Sequence, residues 1–397
     1  MSKLSKASEF TVDDEGSTTL EQDSEEHIRL ADVGQASLLG LVVFISRYLT
    51  KGPVYYVDGP ILVRCILDRT YVIQPPGYWL FARLGGLFGD PAFGLQFLNE
   101  TFSALGAVVF FLLCRKLGLG KGMAWVASVC YESIFFVWLA GDIHSSYASQ
   151  ILFPPLLVLL FLLYGKRKTT PRLIACGACF AIGTGLRPSD GGFLILLFAI
   201  LIVKFVHGLR NRALVVATAV CGCLGWYLPG QAASRAAHIV PMESYIEIVR
   251  PMSLLLSGVQ PRAIGNTVRV VLPLSAAFWM LIPTLSLKRE RFENCILAAW
   301  IAPGMLFYLL IYMADPVYFT YLTAAIVLLT ALSRPRILAF RMMVLCAVFN
   351  TSLFLFARPL TGNGRVTQAI NFYIVKYCEY GIKHQWTSTI GRGGIVP

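Results

Sequence analysis

The sequence predicts an all-α polytopic membrane protein, a bundle of about eleven transmembrane helices with a helical first outer loop. Three observations predict the membrane class. Of 397 residues, 56% are apolar and 14% charged, with a mean hydropathy of +0.65, far oilier than a soluble enzyme. Apolar runs approach the ~20 residues a helix needs to cross the hydrocarbon layer. Lys and Arg gather in every second short connection.

Taken in order, the chain opens on an acidic stretch. Residues 1–32 hold nine of the 22 acids and three of the 34 bases, which leaves the remainder at net +18. With no basic lead into a cleavable apolar run, this stretch reads as a disordered cytoplasmic tail. A transmembrane domain follows over 33–357, with spans near 33–49, 99–114, 122–140, 147–164, 173–187, 191–206, 213–229, 270–286, 295–313, 317–332 and 342–357. The connections carrying Arg115, Lys116 and Lys121; Lys166, Arg167, Lys168 and Arg172; Lys204, Arg210 and Arg212; Lys288, Arg289 and Arg291; and Arg334, Arg336 and Arg341 face the cytoplasm by the positive-inside rule. The outer side receives loops 50–96 and 230–269 and a short external tail, 358–397, where Val366, Ile370, Tyr373, Ile374 and Tyr377 recur at the spacing of an amphipathic helix. No internal repeat suggests paired transporter halves.

Eight of the ten cysteines lie in or at the ends of apolar runs, where a thiol acts as a small hydrophobe. A disulfide framework is excluded on that ground, and the Cys176-x-x-Cys179 pair reads as helix packing; only Cys65 and Cys378 are placed to meet outside the membrane. The basic excess belongs to topology and anionic lipid groups, not nucleic acid, because no basic run interleaves with aromatics on a polar segment.

Function is expected in the outer loops, which are aromatic and proline-bearing. Asp58, about nine residues beyond the first span, places a carboxylate near the outer surface, where it can take a proton from an attacking hydroxyl or serve as a helix cap or turn with Gly59. Arg64 follows, and Pro75-Pro76 stiffen the segment Gln74-Pro75-Pro76-Gly77-Tyr78. Asp142 and His144 in the next outer turn, with Tyr147 beside them, bring a second carboxylate; with Asp58 they could hold a divalent metal, though orienting a sugar is the favoured role and no cofactor is expected. Arg187 is the only base in a short outer turn. A guanidinium there can grip a phosphate through parallel hydrogen bonds, pair with Asp190, or snorkel to lipid. Glu132, deep in the third span, is either a proton-path residue of a transporter or a hydrogen-bonding partner inside the bundle. His238, Glu243, Tyr245, Glu247, Arg250, Arg262 and Arg269 of the second loop, with Arg235, suit an anionic ligand or lipids equally.

Together these residues resemble the polytopic GT-C glycosyltransferases, in particular the protein O-mannosyltransferase and family 39 type. Asp58-Gly59 looks like their first-loop acidic motif, and Gln74-Pro75-Pro76-Gly77-Tyr78 like their His-Pro-Pro-Gly-Tyr segment, with Gln74 replacing a common His. Gly89-Asp90 and the run from Ser103 to Leu117 are similar to the second span and its basic exit. Gly141-Asp142 with Tyr147, Gly185-Leu186-Arg187, and Asp315-Pro316-Val317-Tyr318 follow in the family's order, over roughly 33–332. The resemblance implies an inverting transfer of a sugar, mannose-like or another hexose, from a polyprenyl-phosphate donor to a protein, lipid or glycan acceptor outside the cytoplasm. Asp58 would be the base, Asp142 would orient a substrate, and Arg187 would contact the lipid phosphate. Arg64, Gln74, Tyr78 and Tyr147 would add binding contacts. The setting would be the bacterial inner membrane, or the endoplasmic reticulum in a eukaryote. A transporter or lipid flippase, and a non-enzymatic membrane partner, are the competing readings.

Overall fold

The computed structural model describes residues 28–50, 58–68, 78–236, 250–287, 291–311, 316–356 and 361, and among them every regular element is helical. The order is α1 (Leu30–Thr50), α2 (Asp58–Leu67), α3 (Trp79–Gly85), α4 (Pro91–Lys116), α5 (Lys121–Ser133), α6 (Phe135–Asp142), α7 (Ser149–Lys166), α8 (Thr170–Leu186), α9 (Pro188–Phe205), α10 (Leu209–Ala236), the single turn α11 (Leu254–Ser257), α12 (Pro261–Phe278), α13 (Arg291–Leu310), α14 (Thr320–Ala331) and α15 (Arg336–Phe356). Among the described residues, six helical stretches are long and apolar enough to cross a membrane, and α5 with α6 forms a seventh candidate bent by 65°. Four shorter apolar helices, Thr170–Leu186, Pro273–Thr284, Asn294–Leu310 and Val317–Ala331, fall where the remaining expected spans lie. The protein is an all-α polytopic membrane protein, and its first outer loop is helical, through α2 and α3.

Helix α1 packs on α4, α4 on α7, and α8 on α10. Without a hydrophobic force between helices in lipid, close approach of backbones supplies the attraction, and small residues permit it. A Cβ added at Gly106 of α4 would stand 2.9 Å from the Ile151 carbonyl of α7, and one at Gly177 of α8 2.7 Å from the Val215 carbonyl of α10. The core runs through Phe110, Phe111, Tyr131, Phe136, Phe161 and Trp300, all fully buried.

Two boundaries differ from the sequence expectation. The acidic tail was expected to reach residue 32, yet α1 starts at Leu30, and Asp32 is buried in its first turn, accepting a hydrogen bond from Arg115 Nε at 3.1 Å. Arg115 also donates to the Leu119 carbonyl, so a tail acid is in fact half of an internal pair. The second outer loop was expected to run to 269, but α12 begins at Pro261, where Pro suits the first helical position. The amphipathic segment around 366–377, Cys378, and residues His238, Glu243, Tyr245 and Glu247 lie outside the described residues; Cys65 is buried on α2.

The break between α5 and α6 has identifiable causes. Ser133 turns its hydroxyl back to the Cys130 carbonyl at 3.0 Å, Arg47 takes the Glu132 carbonyl at 2.9 Å, and the Phe135 amide donates to Asn350 Oδ1 at 3.4 Å. Polar side chains thus stand in for the helical ladder, which is what a broken helix within a membrane requires.

Removing one partner of the buried Asp32–Arg115 pair leaves an uncompensated charge, at a cost of about 3–5 kcal/mol. Arg115→Met should therefore lower the unfolding midpoint in detergent markedly, and Asp32→Leu combined with it should recover most of the loss; equal midpoints for the single and double variants would contradict this.

Candidate functional site

The site is built at the end of the bundle where α1 finishes and α6 hands over to α7. Thr50, the last residue of α1, donates its hydroxyl to Asp142 Oδ2 at 2.8 Å and accepts from Trp138 Nε1 at 3.0 Å. One turn earlier, Arg47 donates to the Glu132 carboxylate at 2.9 Å and lies 4.5 Å over the Trp138 ring. Beyond Asp142 the strap 143–148 is held from beneath by Asn99 of α4, whose amide donates to the Ile143 and Ser145 carbonyls. Every one of these side chains except Thr50 and Trp138 is buried.

A second centre adjoins it. Arg187, in the turn between α8 and α9, donates Nη1 to the Ser146 hydroxyl at 3.1 Å and pairs with Asp190 at 3.5 Å. Its guanidinium carbon lies 4.0 Å from the Tyr147 ring centre, 5.5 Å from Tyr318 and 5.8 Å from Tyr78. Tyr308 accepts a further hydrogen bond from it and stacks on Tyr318. Gln150 donates to Asp190 at 2.8 Å, so the carboxylate beside the arginine is itself held. An aromatic box around a desolvated cation strengthens every face contact.

Among the described residues, eleven buried side-chain polar atoms lack a hydrogen-bond partner, and apart from the two arginine Nε atoms of Arg47 and Arg187 they all fall on the 96–103 and 132–150 stretches. They include Asp142 Oδ1, Glu132 Oε1, Asn99 Oδ1 and His144 Nδ1. Buried polar groups are nearly always satisfied, so this concentration is spare bonding capacity gathered in one place. Gly141 shows how tight the region is: an added Cβ would meet Ser103 Oγ and Arg47 Nε, the latter at 2.8 Å.

On the flank, α3, α8 and α10 enclose an apolar groove of about 730 Å³ lined by Trp79, Leu80, Ala181, Ile182, Cys221 and Trp226. A smaller one of about 430 Å³ lies between α8, α9 and α10 and shares Trp226. The larger groove approaches the arginine centre: Leu80 and Trp226 both touch the backbone at Gly185, two residues before Arg187, and Tyr78 stands two residues before Leu80.

Of the sequence-predicted residues, the structure brings together Arg187, Tyr78 and Tyr147, and places Asp142 at the end of α6, where the strap that leads to them begins. Asp58 starts α2, which follows α1 and so belongs to the same end of the bundle; its side chain and Gln74 lie outside the described residues. Arg64 is exposed on α2, and Arg235 and Arg250 are exposed as well. Glu132 has Arg47 as its partner, the bundle-bonded reading and not an isolated proton carrier. Among the described residues no three His, Cys, Asp or Glu side chains converge as metal ligands would. Sequence reasoning missed Arg47, Thr50 and the α4 residues. The signals were present: a lone charge inside an apolar span, and Gln96, Asn99, Glu100 and Ser103 at helical spacing, a polar stripe buried along one face of α4.

His144 is buried on the strap, and desolvation pushes its pKa down to about 4, with Asp90 opposing. An imidazole kept neutral in the fold and free to charge in the unfolded chain contributes stability that is complete above its ordinary value of about 6.5 and is lost as pH falls toward 4. His144→Gln should flatten the decline of the unfolding midpoint between pH 6.5 and 4; a decline as steep as in the unsubstituted protein would refute the assignment.

No family model and no solved structure matches the chain. Curated proteins do. An undecaprenyl phosphate-alpha-4-amino-4-deoxy-L-arabinose arabinosyl transferase 2 of Proteus mirabilis is 24% identical over 192 residues, 46% of this chain and 35% of its own length. The protein of the same name from Pseudomonas fluorescens is 24% identical over 287 residues, 64% of this chain and 52% of that one. The Aeromonas hydrophila arabinosyl transferase is 22% identical over 299 residues, covering 66% and 54%. The chain thus spans between about a third and a half of the curated relatives it matches. It is similar to polytopic GT-C glycosyltransferases, and the relatives it matches are named as arabinosyl rather than mannosyl transferases.

Proposed function

We propose that this chain is a membrane glycosyltransferase that moves a sugar from a polyprenyl-phosphate donor to an acceptor on the non-cytoplasmic face. The observation that carries the reading is the apolar groove of about 730 Å³ whose lining side chains Leu80 and Trp226 pack against Gly185, two residues before the buried Arg187. An isoprenoid tail needs an apolar slot along the bilayer, and its phosphate needs a cation at the slot's head. Arg187 supplies the cation, already desolvated and aimed, which is where fixed charge is worth most to a leaving phosphate. Tyr78 and Tyr147 wall that position.

The reaction follows as an inverting displacement. The acceptor hydroxyl oxygen forms a bond to the anomeric carbon, the carbon–oxygen bond to phosphate breaks on the opposite face, and the hydroxyl proton passes to a carboxylate. Asp58 is the base in this scheme; Asp142, with Oδ2 fixed by Thr50 and Oδ1 unpartnered, orients a sugar hydroxyl or amine. Arg64 and Gln74 add binding contacts in this scheme. The scheme uses no metal, so a chelator should leave the rate unchanged. The relatives' names favour an amino-pentose on undecaprenyl phosphate over the mannose suggested by family 39; the setting in this reading is a bacterial inner membrane whose site faces outward.

Purified protein in nanodiscs, given radiolabelled polyprenyl-phosphate sugars and a membrane extract, should label an acceptor. Asp58→Asn should lower the rate by about 10²- to 10⁴-fold, the usual worth of a general base, and Arg187→Ala should raise the donor requirement more than that of the acceptor. Transfer by Asp58→Asn at the unsubstituted rate would remove the mechanism.

A further inference from the structure

The reading above leaves Arg47 without a role, although it is the largest buried charge on α1. It is 1% exposed and touches both halves of the broken helix. One nitrogen, Nη2, holds the last turn of α5 twice, through the Glu132 carboxylate and the Glu132 carbonyl, each at 2.9 Å. The central carbon of the same guanidinium lies over the Trp138 ring of α6, 4.5 Å from its centre, and its Nε faces the backbone at Gly141. Asp142 is the next residue. Thr50, three residues on from Arg47 along α1, holds the Asp142 carboxylate and Trp138 with one hydroxyl.

The geometry points to Arg47 as a positioning residue that bolts α5 to α6 at their 65° bend and thereby aims the free oxygen of Asp142. This rests on the transferase reading for its kinetic consequence, not for its structural one. A helix cut at Ser133–Ile134 has lost the ladder that would fix the direction of its second half. Here the direction is set by a planar fork that cannot rotate without giving up the carboxylate, the carbonyl or the indole face. Lysine cannot replace it: a compact ammonium on a flexible stem can meet Glu132 but cannot also lie flat on Trp138. Arg47 needs no contact with substrate to matter, because misplacing a reacting group by 1 Å costs on the order of 100-fold in rate.

The test uses the full chain in nanodiscs, with Arg47→Lys and, as the variant that keeps size while removing one charge, Glu132→Gln. Two quantities are read on protein that elutes as the unsubstituted one does: transfer kinetics, and backbone hydrogen exchange followed by mass spectrometry. The expected result is faster exchange confined to 135–148, with 170–186 unchanged, and a kcat about 100-fold lower at an unaltered donor KM. Arg47→Lys added to Asp142→Asn should cost nothing beyond Asp142→Asn alone, because both act through one carboxylate. Unchanged exchange over 135–148 in both variants would overturn the inference, as would a raised donor KM at full kcat or losses that multiply with Asp142→Asn. If the unsubstituted protein transfers no sugar, the transferase reading fails, and the exchange measurement alone decides whether Arg47 sets the bend.

Discussion

Burying charge in an apolar bundle is the constraint on which this structure turns. A lone ion in hydrocarbon is costly enough to be neutralised or expelled, and among the described residues three buried acids meet that cost with an arginine. Asp32 meets Arg115, Glu132 meets Arg47, and Asp190 meets Arg187. The first two pairs join segments 83 and 85 residues apart in sequence, and they fix which helices lie side by side in a way apolar contact cannot, since lipid tails compete for apolar surface but not for a carboxylate. The break between α5 and α6 is tolerable for the same reason: Arg47 and Asn350 reach across 85 and 215 residues to satisfy the groups it frees.

The two centres divide the work by chemistry. Around Arg187 the neighbours are aromatic rings, one hydroxyl and a carboxylate already held by Gln150, a setting that fixes a cation without cancelling it. Around Asp142 the neighbours are hydroxyl, indole and guanidinium groups that leave one oxygen open. The strap 143–148 connects them, and Asn99 holds the strap by two carbonyls, so the distance between cation and carboxylate is governed by α4 and not by a flexible loop.

Much of this was legible in the sequence. Hydropathy reads solvation directly, so the helical membrane class and the position of each apolar helix were accessible. Arg187 stood out because it broke the alternation of basic connections, and Tyr78, Tyr147 and Asp142 stood out by proximity to turns. Less visible was anything set by tertiary contact. No Pro or Gly marks the bend at Ile134, because its causes are side chains on α1 and α15. Tyr308 closes the arginine box from the last turn of an apolar helix, where one more aromatic carries no signal. Asp32 looked like part of an acidic tail because its partner lies on another helix.

Helix α1 is fastened at each extremity, by Asp32 to Arg115 at one and by Arg47 and Thr50 to the α5–α6 elbow at the other. Its 21 residues make a strut of about 31 Å, at ~1.5 Å per residue, close to the ~30 Å of a hydrocarbon layer. A strut clamped at both ends acts as a gauge: it sets how deep the Asp142 carboxylate sits from the opposite surface. A thicker or thinner bilayer is then met by leaning of the bundle as a whole, while the carboxylate keeps its height relative to the helix.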